Sequence, residues 1–348
     1  MVRGLVRAAA YLPRYSDGTA RLRGWDEDPV TLAAAAIERA ESVEVAEDAP
    51  VTVHVVGDVA GLGEAELASI LGNSVALVAH AATEDPLGAA VRAALSGAGR
   101  QWVVVVAAGG PSPERRPSPG EGAAALLIGD APETAPLSLP GDPGSGPLGR
   151  LVVASRLAGD SSRWVGDWGA DPGLGVAATS RPAPVERLEA TVSQGAFVSA
   201  PRDVESRAGR WRFAADRCPS CGTTTFPPRG RCRNCRRSDG LRPVRLPAGG
   251  ATVVAATWIG PGGQPTEFDL QVAASGGYGV VLAELADGTR VTLAVADATP
   301  EQMRVGAHVD TTLRRLYPIE GAWRYGRKAI PAAPSSVDGG WTRRDRSR

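Results

Sequence analysis

The hydrophobic and polar positions change rhythm partway along the chain. Residues 3–12 form a short apolar stretch closed by Pro13. Asp26-Glu27-Asp28-Pro29 stands ahead of the Ala-rich apolar run 30–37. Acids and a proline before such a run predict a helix N-terminus. The β-branched run 51–56, ending at Gly57, predicts a buried strand. Helices are predicted at 64–71 and 86–95, and strands at 75–78, 102–108, 122–128 and 151–155, with a Pro-rich loop at 111–120. Strands alternating with helices predict an α/β layer built on a parallel sheet.

The second rhythm is all-β. Residues 166–184 are rich in Gly, Asp and Pro and read as a loop, and 185–213 read as a mixed linker with helical pieces. Short apolar runs at 251–259, 279–285, 290–296 and 308–316 predict strands, and Asp287-Gly288 between two of them predicts a hairpin. Several short strands in so few residues predict a small barrel. The division expected is 1–184 for the α/β part, 185–216 for the linker, 217–247 for a cysteine-bearing segment, 248–330 for the barrel and 331–348 for a disordered tail rich in Pro, Ser and Arg.

Charge changes this picture. The 348 residues carry 38 basic and 38 acidic side chains. Residues 1–200 hold 15 basic against 24 acidic, a net of −9, and the remainder holds 23 against 14, a net of +9. The chain is therefore two oppositely charged halves, and partners must be asked of each. One basic residue, Lys328, is a lysine and the rest are arginines. No apolar run approaches the roughly 18–20 residues of a membrane span. Arg7 and Pro13 interrupt the only apolar stretch near the N-terminus, so a cytoplasmic, reducing location and no membrane partner are expected.

All four cysteines lie between 218 and 235, as Cys218-Pro-Ser-Cys221 and Cys232-Arg-Asn-Cys235. In a reducing compartment this spacing predicts a four-thiolate site for Zn²⁺ before two disulfides. Four thiolates leave no open position, so the zinc is expected to be structural. Arg217, Arg229, Arg231, Arg233, Arg236 and Arg237 surround the pairs. They read either as a solvated offset to the cluster's negative charge or as an anion-binding face.

From Trp211-Arg-Phe213 through the cysteine pairs, with Phe226-Pro-Pro-Arg229 between them, the order continues into Gly250-Ala-Thr-Val-Val-Ala-Ala-Thr-Trp258, Tyr278 to Gly288 and Val305-Gly-Ala-His-Val309. Over roughly residues 205–325 this resembles the zinc-ribbon and OB-fold family called DUF35. The resemblance implies an accessory subunit of thiolase-like enzymes that binds or channels acyl-CoA. Phe226, Arg229 and Arg231 are the candidates for that contact.

Gly4 to Pro13, Trp25-Asp-Glu-Asp28 and Glu121 to Gly129 resemble the first half of hydroxymethylglutaryl-CoA synthases and the thiolase superfamily. The fold class expected is thus a thiolase-like α/β half followed by a zinc ribbon and an OB barrel. The family's Cys nucleophile falls in Leu77-Val-Ala79-His80-Ala-Ala-Thr83, where no cysteine stands, so Ala79 and His80 mark a degenerate active-site position. The family's acid falls at Val59, one position from Asp58, and the second thiolase half, with its His, is absent. No catalytic residue carries over. His80 reads as a ligand or base, or as a buried or subunit-contact histidine, while His54 and His308 read as structural.

These readings imply a non-catalytic subunit, or pseudoenzyme, presenting an acyl-CoA or acyl-carrier-protein thioester to a thiolase-, ketosynthase- or hydroxymethylglutaryl-CoA-synthase-like condensing enzyme. Half a thiolase sheet is expected to leave an apolar layer bare for that partner or for a second copy. One alternative is an acyltransferase using His80 or Asp58 without a Cys nucleophile. The other is a nucleic-acid-binding module, against which stand the few aromatics of 250–316 and the acidic first half.

Overall fold

Helix α1 (Pro29–Ala40) lies at the centre of the fold, and its sequence explains why. Asp28 caps it reciprocally: Thr31 N donates to Asp28 Oδ1 at 3.0 Å, and Asp28 N donates to Thr31 Oγ1 at 2.8 Å. Pro29 occupies the first turn, where its missing N–H costs nothing. Leu32, Ala33, Ala34, Ala36 and Ile37 are all fully buried. A helix apolar on every side must be covered on every side. Its alanines let a sheet approach one face and a barrel strand the other. The computed structural model describes residues 2–11, 15–16, 21–22, 26–40, 50–57, 61–80, 86–107, 122–131, 179–180, 200–319 and 322–332.

The sheet against α1 comprises β1 (Val2–Tyr11), β4 (Val51–Gly57), β5 (Val75–Ala79), β6 (Gln101–Ala107) and β7 (Gly122–Ala131), in the order β1-β7-β6-β4-β5. A small three-stranded sheet joins β2 (Tyr15–Ser16), β3 (Arg21–Leu22) and β8 (Thr179–Ser180). Helices α2 (Glu64–Leu71) and α3 (Pro86–Ser96) fall where the pattern placed them. The large sheet is mixed, which corrects the expected parallel sheet. β4 runs parallel to β5 and β6, but β7 runs antiparallel to β6 and β1. A continuous apolar run reports burial on both faces and is silent about direction. The strand expected at 151–155, the loop at 111–120, Asp58, Val59 and the tail from 333 lie outside the described residues, as does 166–184 apart from β8.

Residues 200–212 of the stretch read as a linker form one helix, α4 (Ala200–Arg212). Its end serves two cores. Trp211 belongs to the apolar cluster of α1 and the sheet, and Phe213, turned by a left-handed φ of 55°, belongs to the barrel's cluster. A three-stranded ribbon follows, β10 (Thr224–Thr225), β9 (Ala214–Arg217) and β11 (Arg242–Arg245) in spatial order.

The closed barrel contains β12 (Ala251–Ile259), β13 (Tyr278–Glu284), β14 (Arg290–Val295), β16 (Ala322–Pro331) and β15 (His308–Ile319), in that order around it, with α5 (Asp269–Ser275) between β12 and β13. This is a five-stranded closed barrel of OB type. Asp287-Gly288 forms the predicted hairpin turn, with Gly288 N donating to Leu285 O at 2.8 Å.

The apolar layer expected to lie bare is covered by the chain itself. Trp211 of α4, Leu313 of β15 and Tyr325 of β16 pack into the cluster that contains α1 and the inner sheet face. Among the described residues, the exposed large apolar side chains are the scattered Val78, Val204, Trp258 and Val305.

Candidate functional site

The four cysteines sit on two turns built alike. Each turn begins with a buried cysteine, Cys218 or Cys232, and reaches an exposed one three residues on, Cys221 or Cys235. The residue after the second cysteine folds back. Gly222 N donates to Cys218 O at 2.9 Å, and Arg236 N donates to Cys232 O at 3.1 Å. Both adopt left-handed φ, 71° at Gly222 and 64° at Arg236. Glycine takes this conformation freely, whereas arginine is strained there.

The four Sγ atoms lie within 4.8 Å of one another, and Cys218–Cys235 and Cys221–Cys232 approach to 3.5 Å. Four sulfurs about 2.3 Å from a tetrahedral Zn²⁺ would stand about 3.8 Å apart, so the donor set fits the ion. The Thr223 hydroxyl, and then its amide, draw the Cys221 thiol down to about 6, which favours the ligating thiolate. Asn234 N donates toward Cys232 Sγ at 3.4 Å.

The six arginines around this centre are exposed, and among the described residues none meets a carboxylate. Arg237 Nη1 donates to Ser220 Oγ at 3.2 Å. Asp216 Oδ2 accepts the amides of Arg229 and Gly230 at 3.3 Å, so it fixes the loop. Of the three residues assigned to a CoA contact, Arg229 and Arg231 are exposed. The Phe226 ring is half-buried and packs edge-on against Phe213, with centroids 5.5 Å apart, at the margin of the barrel's apolar cluster.

His54 and His80, read separately from the sequence, stand together. Gln101 Nε2 donates to Ala98 O at 2.6 Å, which leaves Gln101 Oε1 to accept from His54 Nε2–H at 3.0 Å. His54 Nδ1 then accepts from His80 Nε2–H at 3.0 Å. His54 and Gln101 are buried, and His80 is half-buried just past the end of β5, beside exposed Ala79. Burial and then the neighbouring His54 push the His80 pKa below its ordinary value. The lowered pKa favours the neutral imidazole, and the relay engages its Nε2. Sequence spacing gave no sign of this relay or of Gln101. His308 begins β15 and pairs with Thr252 in the barrel.

A second constellation was likewise hidden from the sequence. Lys328 Nζ donates to Asp26 Oδ2 at 2.8 Å. Arg314 Nη2 contacts Glu27 Oε1 at 2.9 Å and Asp297 Oδ2 at 3.0 Å. Tyr11 donates its hydroxyl hydrogen to Glu27, and the Tyr325 hydroxyl donates to Asp28 Oδ2 at 2.7 Å. Arg327 Nη1 donates to Glu38 Oε2 at 3.1 Å, and its Nε donates to Trp211 O at 2.9 Å. The acids preceding and along α1 thus receive the cations of β15 and β16. Arg314 and Lys328 are fully buried. Burial raises the Asp26 carboxyl, but the charges of Lys328 and Arg314 outweigh it and hold the carboxyl below the usual range. The opposite charges of the two halves are therefore spent in part on each other, inside one chain.

The ribbon, residues 208–242, matches a family profile described as "ChsH2, rubredoxin-like zinc ribbon domain". The chain is 31% identical over 124 residues to a DUF35 domain-containing scaffold protein of Methanocaldococcus jannaschii, spanning 35% of this chain and 83% of that one. Among solved structures it is similar to an Ltp2-ChsH2(DUF35) aldolase at 24% identity, covering 35% of this chain and 86% of that chain with a TM-score of 0.29. It is also similar to PksG, a hydroxymethylglutaryl-CoA synthase from Bacillus subtilis, at 16% identity, covering 38% of this chain and 42% of that chain with a TM-score of 0.29. Through its likeness to a scaffold protein spanned over most of its length, the chain belongs to the DUF35 family.

Proposed function

We propose that the protein is an accessory subunit of an acyl-CoA condensing complex. It presents a thioester, on CoA or on an acyl carrier, to a thiolase- or hydroxymethylglutaryl-CoA-synthase-like partner. One observation carries this reading. The chain joins a DUF35 ribbon and barrel to an α/β layer in which the stretch that resembles the synthases' nucleophile position, Ala79-His80, holds no thiol, while every cysteine of the chain sits in the four-cysteine cluster. A thiolase-type condensation needs an activated sulfur nucleophile, so the chemistry falls to the partner. The zinc, held by Cys218, Cys221, Cys232 and Cys235, supplies folding energy to the ribbon and no catalytic position. The buried ion pairs of Lys328, Arg314 and Arg327 with the acids preceding and along α1 clamp the barrel against the sheet, which suits a scaffold.

Co-expression with thiolase- and hydroxymethylglutaryl-CoA-synthase-like enzymes of the same genome, followed by purification through a tag on this chain, tests the proposal. A stable complex retained through size exclusion is expected, and the repeated absence of any condensing enzyme overturns it.

A second reading is favoured by the His54–His80–Gln101 relay, namely acyl transfer with neutral His80 as base. Replacing His80 with Ala in the complex separates the two. Retained turnover removes the second reading, and its loss with assembly intact supports it.

A further inference from the structure

We infer that the ribbon is a docking face for an acidic protein, so that the thioester presented by the complex arrives on a carboxylate-rich carrier protein rather than on a free nucleotide. This rests on the accessory-subunit reading and names the chemistry of one of its partners. Three observations carry it.

The first is the contrast in pairing. The buried cations of the barrel are matched with acids: Lys328 with Asp26, Arg314 with Glu27 and Asp297, Arg327 with Glu38. Exposed Arg290 on β14 also meets Glu284, at 2.7 Å. The six ribbon arginines stay exposed and meet no carboxylate among the described residues. Most of the second half's surplus positive charge, seven arginines against Asp239 between 217 and 242, thus falls on one small module.

The second is that the module offers too little local neutralisation. Between 217 and 242 the sole carboxylate is Asp239, and the nearby Asp216 already accepts two backbone amides. A Zn²⁺ with four thiolates carries two negative charges, fewer than the guanidinium positives around it.

The third concerns which anion fits. A nucleotide or a nucleic acid is held by charge together with stacking on an aromatic ring. Phe226 is the one aromatic residue from 217 to 245, and its ring is turned edge-on into Phe213. Exposed guanidiniums without a stacking platform suit the carboxylates of a protein surface, which arginine meets through paired hydrogen bonds. Such a face accelerates encounter and fixes orientation while remaining sensitive to salt.

The test uses the full chain loaded with zinc and measures binding by fluorescence anisotropy. The three probes are an acidic acyl carrier protein in its apo form, coenzyme A, and a single-stranded oligonucleotide. The carrier protein is expected to bind more tightly than the other two, and to weaken about tenfold or more between low and physiological salt. The triple variant Arg229→Glu, Arg231→Glu, Arg233→Glu should lose at least about tenfold in carrier affinity. It should keep its zinc content, and Arg290→Glu should bind as the parent does. Coenzyme A or the oligonucleotide binding as tightly as the carrier overturns the inference. So does an affinity untouched by salt or by the triple reversal. A triple variant that still co-purifies with the condensing enzyme but no longer binds carrier locates the effect in docking. If the parent co-purifies and no carrier binds it, this inference fails and the accessory-subunit reading stands.

Discussion

Lys328 Nζ lies 2.8 Å from Asp26 Oδ2, an ion pair between residues 302 apart that is buried on both sides. The single lysine of an otherwise arginine-based chain is thus placed where a compact ammonium meets the acids at the start of α1. Removing one partner of a buried pair strands the other charge, so Lys328→Met should destabilise the protein by roughly 3–5 kcal/mol. Pairing it with Asp26→Asn should recover much of that loss. Urea unfolding of the four proteins of this cycle measures it. A single variant costing under about 1 kcal/mol would remove the clamp from the account.

The same lysine offers a chemical readout. An N-hydroxysuccinimide ester should leave Lys328 unmodified in the native protein, because the ammonium is fully buried, and should label it in urea. Peptide mass spectrometry follows the site, and native labelling at the unfolded rate contradicts its burial.

Acid should loosen the clamp. The folded Asp26 pKa lies below its unfolded value, held there by Lys328 and Arg314 against the opposing effect of burial. The unfolded chain therefore binds the proton first. Its contribution to stability is complete above about pH 4 and is lost as pH falls through the folded value. Melting temperatures should be level from neutral pH to about pH 5 and should fall below about pH 4. The Lys328→Met, Asp26→Asn double variant should show a weaker fall, and an equal fall in both proteins assigns the acid effect elsewhere.

Metal removal separates the ribbon from the rest. One zinc per chain is expected on release by a thiol-reactive mercurial with a colorimetric chelator. Replacing buried Cys218 or Cys232 with Ser should abolish binding. Loss of the metal should expose the amides of β9–β11 to hydrogen exchange and spare β4 and β6, whose packing does not involve the ribbon. A disulfide between any two of these cysteines in protein purified anaerobically with zinc present would refute the site.

The histidine relay makes a prediction readable by NMR. His80 should be neutral at pH 7 in the Nε2–H form, titrating below the ordinary 6.5. Because its folded pKa is lowered, its contribution to stability is present above about pH 6.5 and is lost as pH falls through the folded value. Gln101→Leu leaves His54 Nε2–H without its buried acceptor and should cost about 1–3 kcal/mol. A His80 already protonated at pH 7 contradicts the relay.

Where side chains speak through periodicity, the fold was legible. The limits of α2 and β12, the Asp287-Gly288 hairpin and the two cysteine turns follow from local rules that the sequence obeys. What escaped has one cause. β16 reads Ala322-Trp-Arg-Tyr-Gly-Arg-Lys-Ala-Ile-Pro331, too charged for a buried strand until Asp26 and Glu38 are seen opposite Lys328 and Arg327. Burial there is bought by partners about 290–300 residues away, beyond the reach of any window. The same holds for α4, whose mean character is polar although Trp211 and Phe213 at its end plug two cores. His54 and His80 were individually visible, and their relay to Gln101 needed the parallel register that sets His54 between β5 and β6.

The most direct test of the central claim is a thioester assay with each component omitted in turn. The acyl group is supplied as its CoA thioester and, in parallel, on an acyl carrier protein, and free thiol and condensed product are followed with this chain alone, with the condensing enzyme alone, and with both. The account predicts no turnover by this chain alone and a rate with both that exceeds the condensing enzyme's own. Turnover of either thioester by the purified chain alone would contradict it.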